Sequence, residues 1–117
     1  MAELQRFLSS PDGVHPPVGR YSHMARVKAS ELLFLAGQVA LDENGTLVGK
    51  GDMAAQTRQA YRNIGKILES AGASFANVVQ VTTCVVGQES VGPYMDGRGS
   101  VFDELYPTGE NPPNTLL

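Results

Sequence analysis

The stretch from Met53 to Ala71 limits the possible folds more than any other part of the chain. Met53, Thr57, Ala60, Tyr61, Ile64, Ile67, Leu68 and Ala71 recur at intervals of three or four, while Gln59, Arg62, Asn63, Lys66 and Glu69 fill the opposite side. That spacing predicts an α-helix with one apolar stripe and one solvated face. Asp52 precedes it as an N-cap, and Gly72 closes it at the position after the C-cap. A one-sided helix gains its stability by lying on something else. The next segment, Val78 to Val86, supplies a candidate support. It contains neither Gly nor Pro, is rich in β-branched residues and is apolar at most positions on both faces, so it predicts a central strand.

The flanking segments extend this pattern. Tyr21 to Lys28 and Leu32 to Leu41 flank the polar turn Ala29 to Glu31 and are expected to pair as a hairpin, with Gly37 at a position where a bulge is cheap. Asp42 to Gly45 forms a second turn, and Thr46 to Val48 returns as a short strand. Glu3 to Leu8 reads as an edge strand ahead of the loop Pro11 to Pro17. A second helix is expected from Pro93 to Leu105, bracketed by Pro93 and Pro107, although Gly97 and Gly99 each cost it about 1 kcal/mol relative to alanine. Pro112 and Pro113 enforce extended backbone, and Asn114 to Leu117 opens a strand that stops unfinished, so a further strand is expected beyond it. The whole is one domain of 117 residues in the α+β class: a mixed sheet with two helices packed on one face.

Composition then removes several classes of function. A net charge of -3 disfavours a nucleic-acid phosphate backbone, so a nucleic-acid partner is unlikely on charge grounds. The longest apolar run, Leu32 to Ala36, falls far short of the ~20 residues of a membrane span, and Met1 to Arg6 has no apolar signal core, which implies a cytoplasmic protein without a membrane partner. The single cysteine, Cys84, has no internal partner and is expected to be a small core side chain. No metal-ligand spacing occurs. The Gly49, Gly51 pair lacks the lysine of a phosphate loop, so neither metal nor cofactor is expected.

Four segments, in this order along the chain, resemble the RidA (YjgF) family. Gly19 to Met24 (GRYSHM) is similar to its GPYSQA segment, and Leu33 to Gln38 (LFLAGQ) to its LFLSGQ strand. Gly51 to Asn63 (GDMAAQTRQAYRN) resembles its first-helix motif, and Asn77 to Thr83 (NVVQVTT) its central strand. Pro112 to Leu117 is similar to the opening of its PARSTV strand. The resemblance implies a chorismate-mutase-like fold and a homotrimer with small-molecule clefts between subunits. It also implies an enamine/imine deaminase, a hydrolase in which water attacks an imine carbon and ammonia leaves.

Carried over residue by residue, the resemblance makes Tyr21, Gly37, Gln38, Asn114 and Thr115 the candidate ligand-binding residues, with no catalytic residue assigned. The arginine that grips the substrate carboxylate in the family falls on Asn114, whose neutral amide lacks the charge-assisted bond of roughly 1.5 to 3 kcal/mol. That substitution raises an alternative, a non-catalytic trimer that binds a metabolite. The endoribonuclease label also attached to the family ranks last, because the chain is acidic and shows no paired acid and base for phosphodiester cleavage. Arg58 is expected on the solvated side of the first helix, and Arg20 on the strand face opposite Tyr21. His15 and His23 have no partner close in sequence.

Overall fold

The computed structural model describes residues 5–117. The predicted first helix is α1, Met53–Ser70. Asp52 caps it in extended backbone by accepting a bond from the Ala55 amide, and Gly72 turns the chain away with a positive φ of 73°. The second helix, α2, runs Val91–Leu105 and so begins two residues earlier than Pro93 suggested. Pro93 fits there because amides in the first turn of a helix have no intrahelical acceptor to lose.

The two helices pack on each other. Tyr61, Val101, Phe102 and Tyr106 form the buried core, with Ile64, Phe75 and Leu105 packed against it. Phe102 is 0 % exposed and lies edge-on to both Tyr61 and Tyr106, at 5.4 and 5.1 Å between ring centroids. Such edge-to-face pairs add about 0.5–1.5 kcal/mol beyond the area they bury. Gly97 permits the close crossing, since a Cβ there would stand 3.0 Å from the Cα of Ala54. An exposed ion pair, Arg58 to Glu104 at 3.0 Å, clips the two helices on the outside. Arg58 therefore faces solvent as expected, but with a partner.

Four short strands complete the α+β architecture. β1, Gln5–Ser9, pairs antiparallel with β2, Met24–Lys28, in the register Gln5 to Lys28 through Ser9 to Met24. β3, Val81–Thr83, pairs parallel with β4, Asn114–Leu116, in the register Val81 to Asn114 through Thr83 to Leu116. Antiparallel and parallel pairings are thus both present, divided between two ladders. Arg6 joins them by donating to the carbonyl of Val78, just before β3, at 2.7 Å.

Three expectations need correction. The hairpin of Tyr21 to Lys28 with Leu32 to Leu41 does not form: β2 takes β1 as its partner, and Leu32 to Ala40 forms no strand. Two amides of α1 hold that segment instead, Asn63 donating to the carbonyls of Val39 and Leu41 and Gln59 to that of Leu41. Gln59, assigned by its polarity to the solvated side, is accordingly buried. Finally, Cys84 is exposed, because the regular strand ends at Thr83. The Asp42 to Gly45 turn does form, and Leu41 bridges Leu47 across it. Glu3 and Leu4 of the expected edge strand lie outside the described residues. Among those residues, no helix is long and apolar enough to cross a membrane.

Replacing Phe102 by alanine is expected to lower the unfolding free energy by about 3–5 kcal/mol, since the cavity sits between two helices that cannot both collapse into it. Loss of the Asp52 cap in Asp52→Ala is expected to cost about 1 kcal/mol. Urea unfolding followed by circular dichroism measures both, and equal losses in the two variants would contradict the placement of the core.

Candidate functional site

The segment carrying Tyr21 is fixed from below by polar side chains. Arg20 forms an ion pair with Asp103 at 2.6 Å and reaches the side chain of Asn111 and the carbonyl of Tyr106. Ser22 donates to the carbonyl of Asn111 at 2.6 Å. Arg20 is therefore committed to the C-terminal end of α2. Tyr21 projects on the other side, where its hydroxyl accepts from the Val18 amide and its ring meets His23 edge-on at 5.6 Å. His23 in turn meets His15 at 5.1 Å, and each imidazole is tied to a backbone carbonyl, His23 to that of His15 and His15 to that of Pro16. The two histidines, without a partner in sequence, are partners in space.

Gly37 and Gln38 lie on the wall of a cavity of about 970 Å³. One side of it is Leu32 to Ala40, and the other is the face of α1 carrying Ala60, Ile64 and Leu68 together with Val78 to Val85. The lining is mostly apolar, with a polar group of Thr57, Tyr61, Thr83 and Tyr94, the composition of a small-molecule pocket. Gln38 uses its amide locally, on the carbonyl of Ala36. Tyr21, Asn114 and Thr115 do not line this cavity. Within one chain, then, the five candidate residues are not gathered at a single point.

Asn114 belongs to a polar cluster that the sequence did not announce. The parallel register sets its side chain beside β3, where Thr83 donates to the Asn114 Oδ1 at 3.1 Å. Tyr94, near the start of α2, donates to the Thr83 hydroxyl at 3.3 Å. The Asn114 Nδ2 is buried and has no partner among the described residues. The Tyr61 hydroxyl is close to those of Tyr94 and Thr83, and it too is buried with no well-formed hydrogen bond among the described residues. Thr115, the next residue along β4, is exposed, as alternation along a strand requires. Tyr94 stands in no motif, and nothing in the NVVQVTT segment marks its last residue, Thr83, as part of a polar cluster.

The endoribonuclease L-PSP family model matches residues 13–116, nearly the whole chain. This chain belongs to that family, the RidA/YjgF family. It is 46 % identical over 91 residues to a RutC family protein of Pyrococcus horikoshii, covering 78 % of this chain and 71 % of the relative. The 3-aminoacrylate deaminase RutC of Acinetobacter baylyi is 40 % identical over 68 residues, covering 58 % of this chain and 52 % of that protein. Among solved structures, the Rid-family protein YyfB of Yersinia pestis, itself of unknown function, superposes with a TM-score of 0.81 at 32 % identity, covering 95 % of this chain and 83 % of that one. The RidA-type segments quoted above thus sit within a family-wide match, and Asn114 lies near its end.

Two phenols near the site respond to their surroundings. Burial, followed by the neighbouring Tyr94, holds Tyr61 well above the ordinary tyrosine range. Burial also raises Tyr106, which donates to the carbonyl of Phe75, to about 12, with the charge of Arg6 acting weakly the other way. Both groups favour the neutral form in the folded state. Their contribution to stability is therefore complete below the unfolded value of about 10 and is lost as pH rises through the folded value. Stability is expected to fall between about pH 10 and pH 12, with phenolate absorbance from two of the four tyrosines appearing only as the chain unfolds. Titration of all four before loss of the helical circular dichroism signal would contradict this.

Proposed function

We propose that the chain is one subunit of a cytoplasmic homotrimer whose clefts between subunits bind a small enamine or imine and hydrolyse it with release of ammonia. Kinship with the deaminase RutC supports the reaction class. Surface chemistry supports the assembly: Leu32, Phe34 and Val39 stand exposed along one segment, with Phe34 91 % accessible. A run of large apolar side chains left in water is the mark of a surface that another chain covers. Covering by a second copy also brings together residues that one chain keeps apart, which is how Tyr21, Gly37, Gln38, Asn114 and Thr115 come to share one cleft.

The observation that carries the ligand assignment is the spare donor of Asn114. Its Oδ1 is bonded to Thr83, and its Nδ2 is buried with no partner among the described residues, which leaves it for an acceptor on the ligand. In the reaction, water adds to the C=N carbon, the nitrogen takes up protons, and the C–N bond breaks to leave ammonia and a carbonyl product. The neutral donors of the cluster orient the substrate for this addition.

The second reading, a trimer that binds a metabolite without turning it over, is favoured by one feature. Thr83, Tyr94 and Asn114 include no carboxylate or imidazole to move a proton at neutral pH. Ammonia release from a freshly generated 2-imino acid decides between the two. The wild-type protein is expected to accelerate it, and Asn114→Ala to lower kcat/KM by about tenfold through loss of one hydrogen bond to substrate. No acceleration, alongside saturable binding of the 2-oxo acid, would establish the binding trimer instead. Phe34→Lys is expected to yield monomers in sedimentation velocity and to abolish the activity, and an active monomer would exclude clefts between subunits.

A further inference from the structure

Arg98 is the side chain whose burial is hardest to justify by internal contacts. It is 3 % exposed, its Nε is buried without a partner, and neither ion pair among the described residues involves it. Two aromatic rings attend its guanidinium, with Cζ 5.5 Å from the Tyr94 centroid and 5.8 Å from that of Phe102. Cation–π contacts of this kind are worth far less than it costs to take a guanidinium out of water. The rings offset only part of the cost. An anion reaching the guanidinium would meet the remainder.

The surroundings define that anion. The three buried side-chain atoms without a partner among the described residues are Arg98 Nε, Asn114 Nδ2 and the Tyr61 hydroxyl, and each is a hydrogen-bond donor. They are grouped around one pair of hydroxyls, since Arg98 and Tyr61 both adjoin Tyr94, which is bonded to Thr83, which is bonded to Asn114. One guanidinium among neutral donors matches a monoanion with two acceptor oxygens. A carboxylate is planar, as the guanidinium is, and takes two parallel bonds from it.

We propose that Arg98 anchors the carboxylate of the small-molecule ligand, with Asn114 and Tyr61 as the neutral donors beside it. This rests on the proposed ligand-binding cleft and adds the charge that Asn114 cannot supply there. Gly19 is part of the arrangement. The Nη2 of Arg98 lies against it, and a Cβ at position 19 would stand 2.9 Å from Nη2 and 3.2 Å from the Cε of Met95. The absent side chain leaves room for the guanidinium two residues before Tyr21. An alanine at position 19 would displace the flexible end of Arg98 without removing its charge.

The test uses the full chain, with pyruvate as the carboxylate probe and pyruvamide as its neutral counterpart, in thermal-shift and calorimetric titrations. Wild type is expected to bind pyruvate at least tenfold more tightly than pyruvamide. Arg98→Gln is expected to weaken pyruvate binding by about tenfold or more, while Arg98→Lys retains part of it. Gly19→Ala, which keeps the arginine, is expected to fold and to weaken pyruvate severalfold. Equal affinity for the two probes, no response to millimolar pyruvate, or Arg98→Gln binding pyruvate as wild type does would each overturn the assignment. If Arg98→Gln does not fold, the wild-type comparison and Gly19→Ala still decide. A wild-type oligomer indifferent to pyruvate, with Arg98→Gln dissociating, would give the guanidinium to a carboxylate of a second copy. Ammonia release that is unaffected in Arg98→Gln refutes the anchor and leaves the deaminase reading standing. Arg98-dependent pyruvate binding without ammonia release does the reverse.

Discussion

The crossing of the two helices at Gly97 and Ala54 is the contact on which the other features depend. Glycine inside a helix costs about 1 kcal/mol in backbone freedom. Here it lets two backbones approach to where a single methyl group would collide. That approach brings Phe102 fully out of water between Tyr61 and Tyr106, and Phe75 closes the cluster against Tyr61 and Tyr106. Tyr94 lies one turn before Gly97 and Arg98 lies directly after it. The crossing that builds the core therefore also sets the position of the polar cluster.

The strands are too short to organise the chain unaided. Two ladders of five and three residues per strand make few cross-strand bonds, so side chains reaching distant carbonyls carry much of the connection. Arg6 reaches Val78, Ser22 reaches Asn111, Asn63 reaches Val39 and Leu41, and Tyr106 reaches Phe75. These bonds tie segments far apart in sequence, although the Val39 and Phe75 carbonyls also accept a backbone amide, from Leu41 and Val78. Asn63 and Gln59 show why polarity along a helix does not by itself mark the solvated face. Their amides lie toward Leu32 to Leu41 because that segment's carbonyls need donors.

Helix α1 was legible almost to the residue, because a long period of three and four, an Asp cap and a closing Gly all agree. The second helix was legible from its flanking prolines, although its first turn was not. The strand pairings were not legible, since alternation identifies a strand but not its partner. Leu32 to Ala40 has the composition of a buried strand and lies exposed at Leu32, Phe34 and Val39. Its composition points to burial, while in the single chain these side chains stand in water. Of the site, Asn114 was legible through the family resemblance alone. Thr83 and Tyr94 became visible only when β3 and β4 were seen side by side, and Arg98, between two glycines, gave no periodic signal that it is buried.

The direction of the hydroxyl chain fixes which way the amide at position 114 faces. Tyr94 donates to Thr83 and Thr83 donates to the Asn114 oxygen, so each link spends an acceptor and passes a donor onward. The chain ends on an N–H group, so the amide turns its oxygen to Thr83 and leaves its donor facing away. What the amide lacks is charge, and charge need not come from the same residue. In the proposed site a guanidinium held beside the adjacent tyrosine by two aromatic faces restores it from a different element of the fold, helix α2. The geometry of donors and the location of the positive charge are thus separable properties of one site, set by β4 in the first case and by the glycine crossing of the helices in the second.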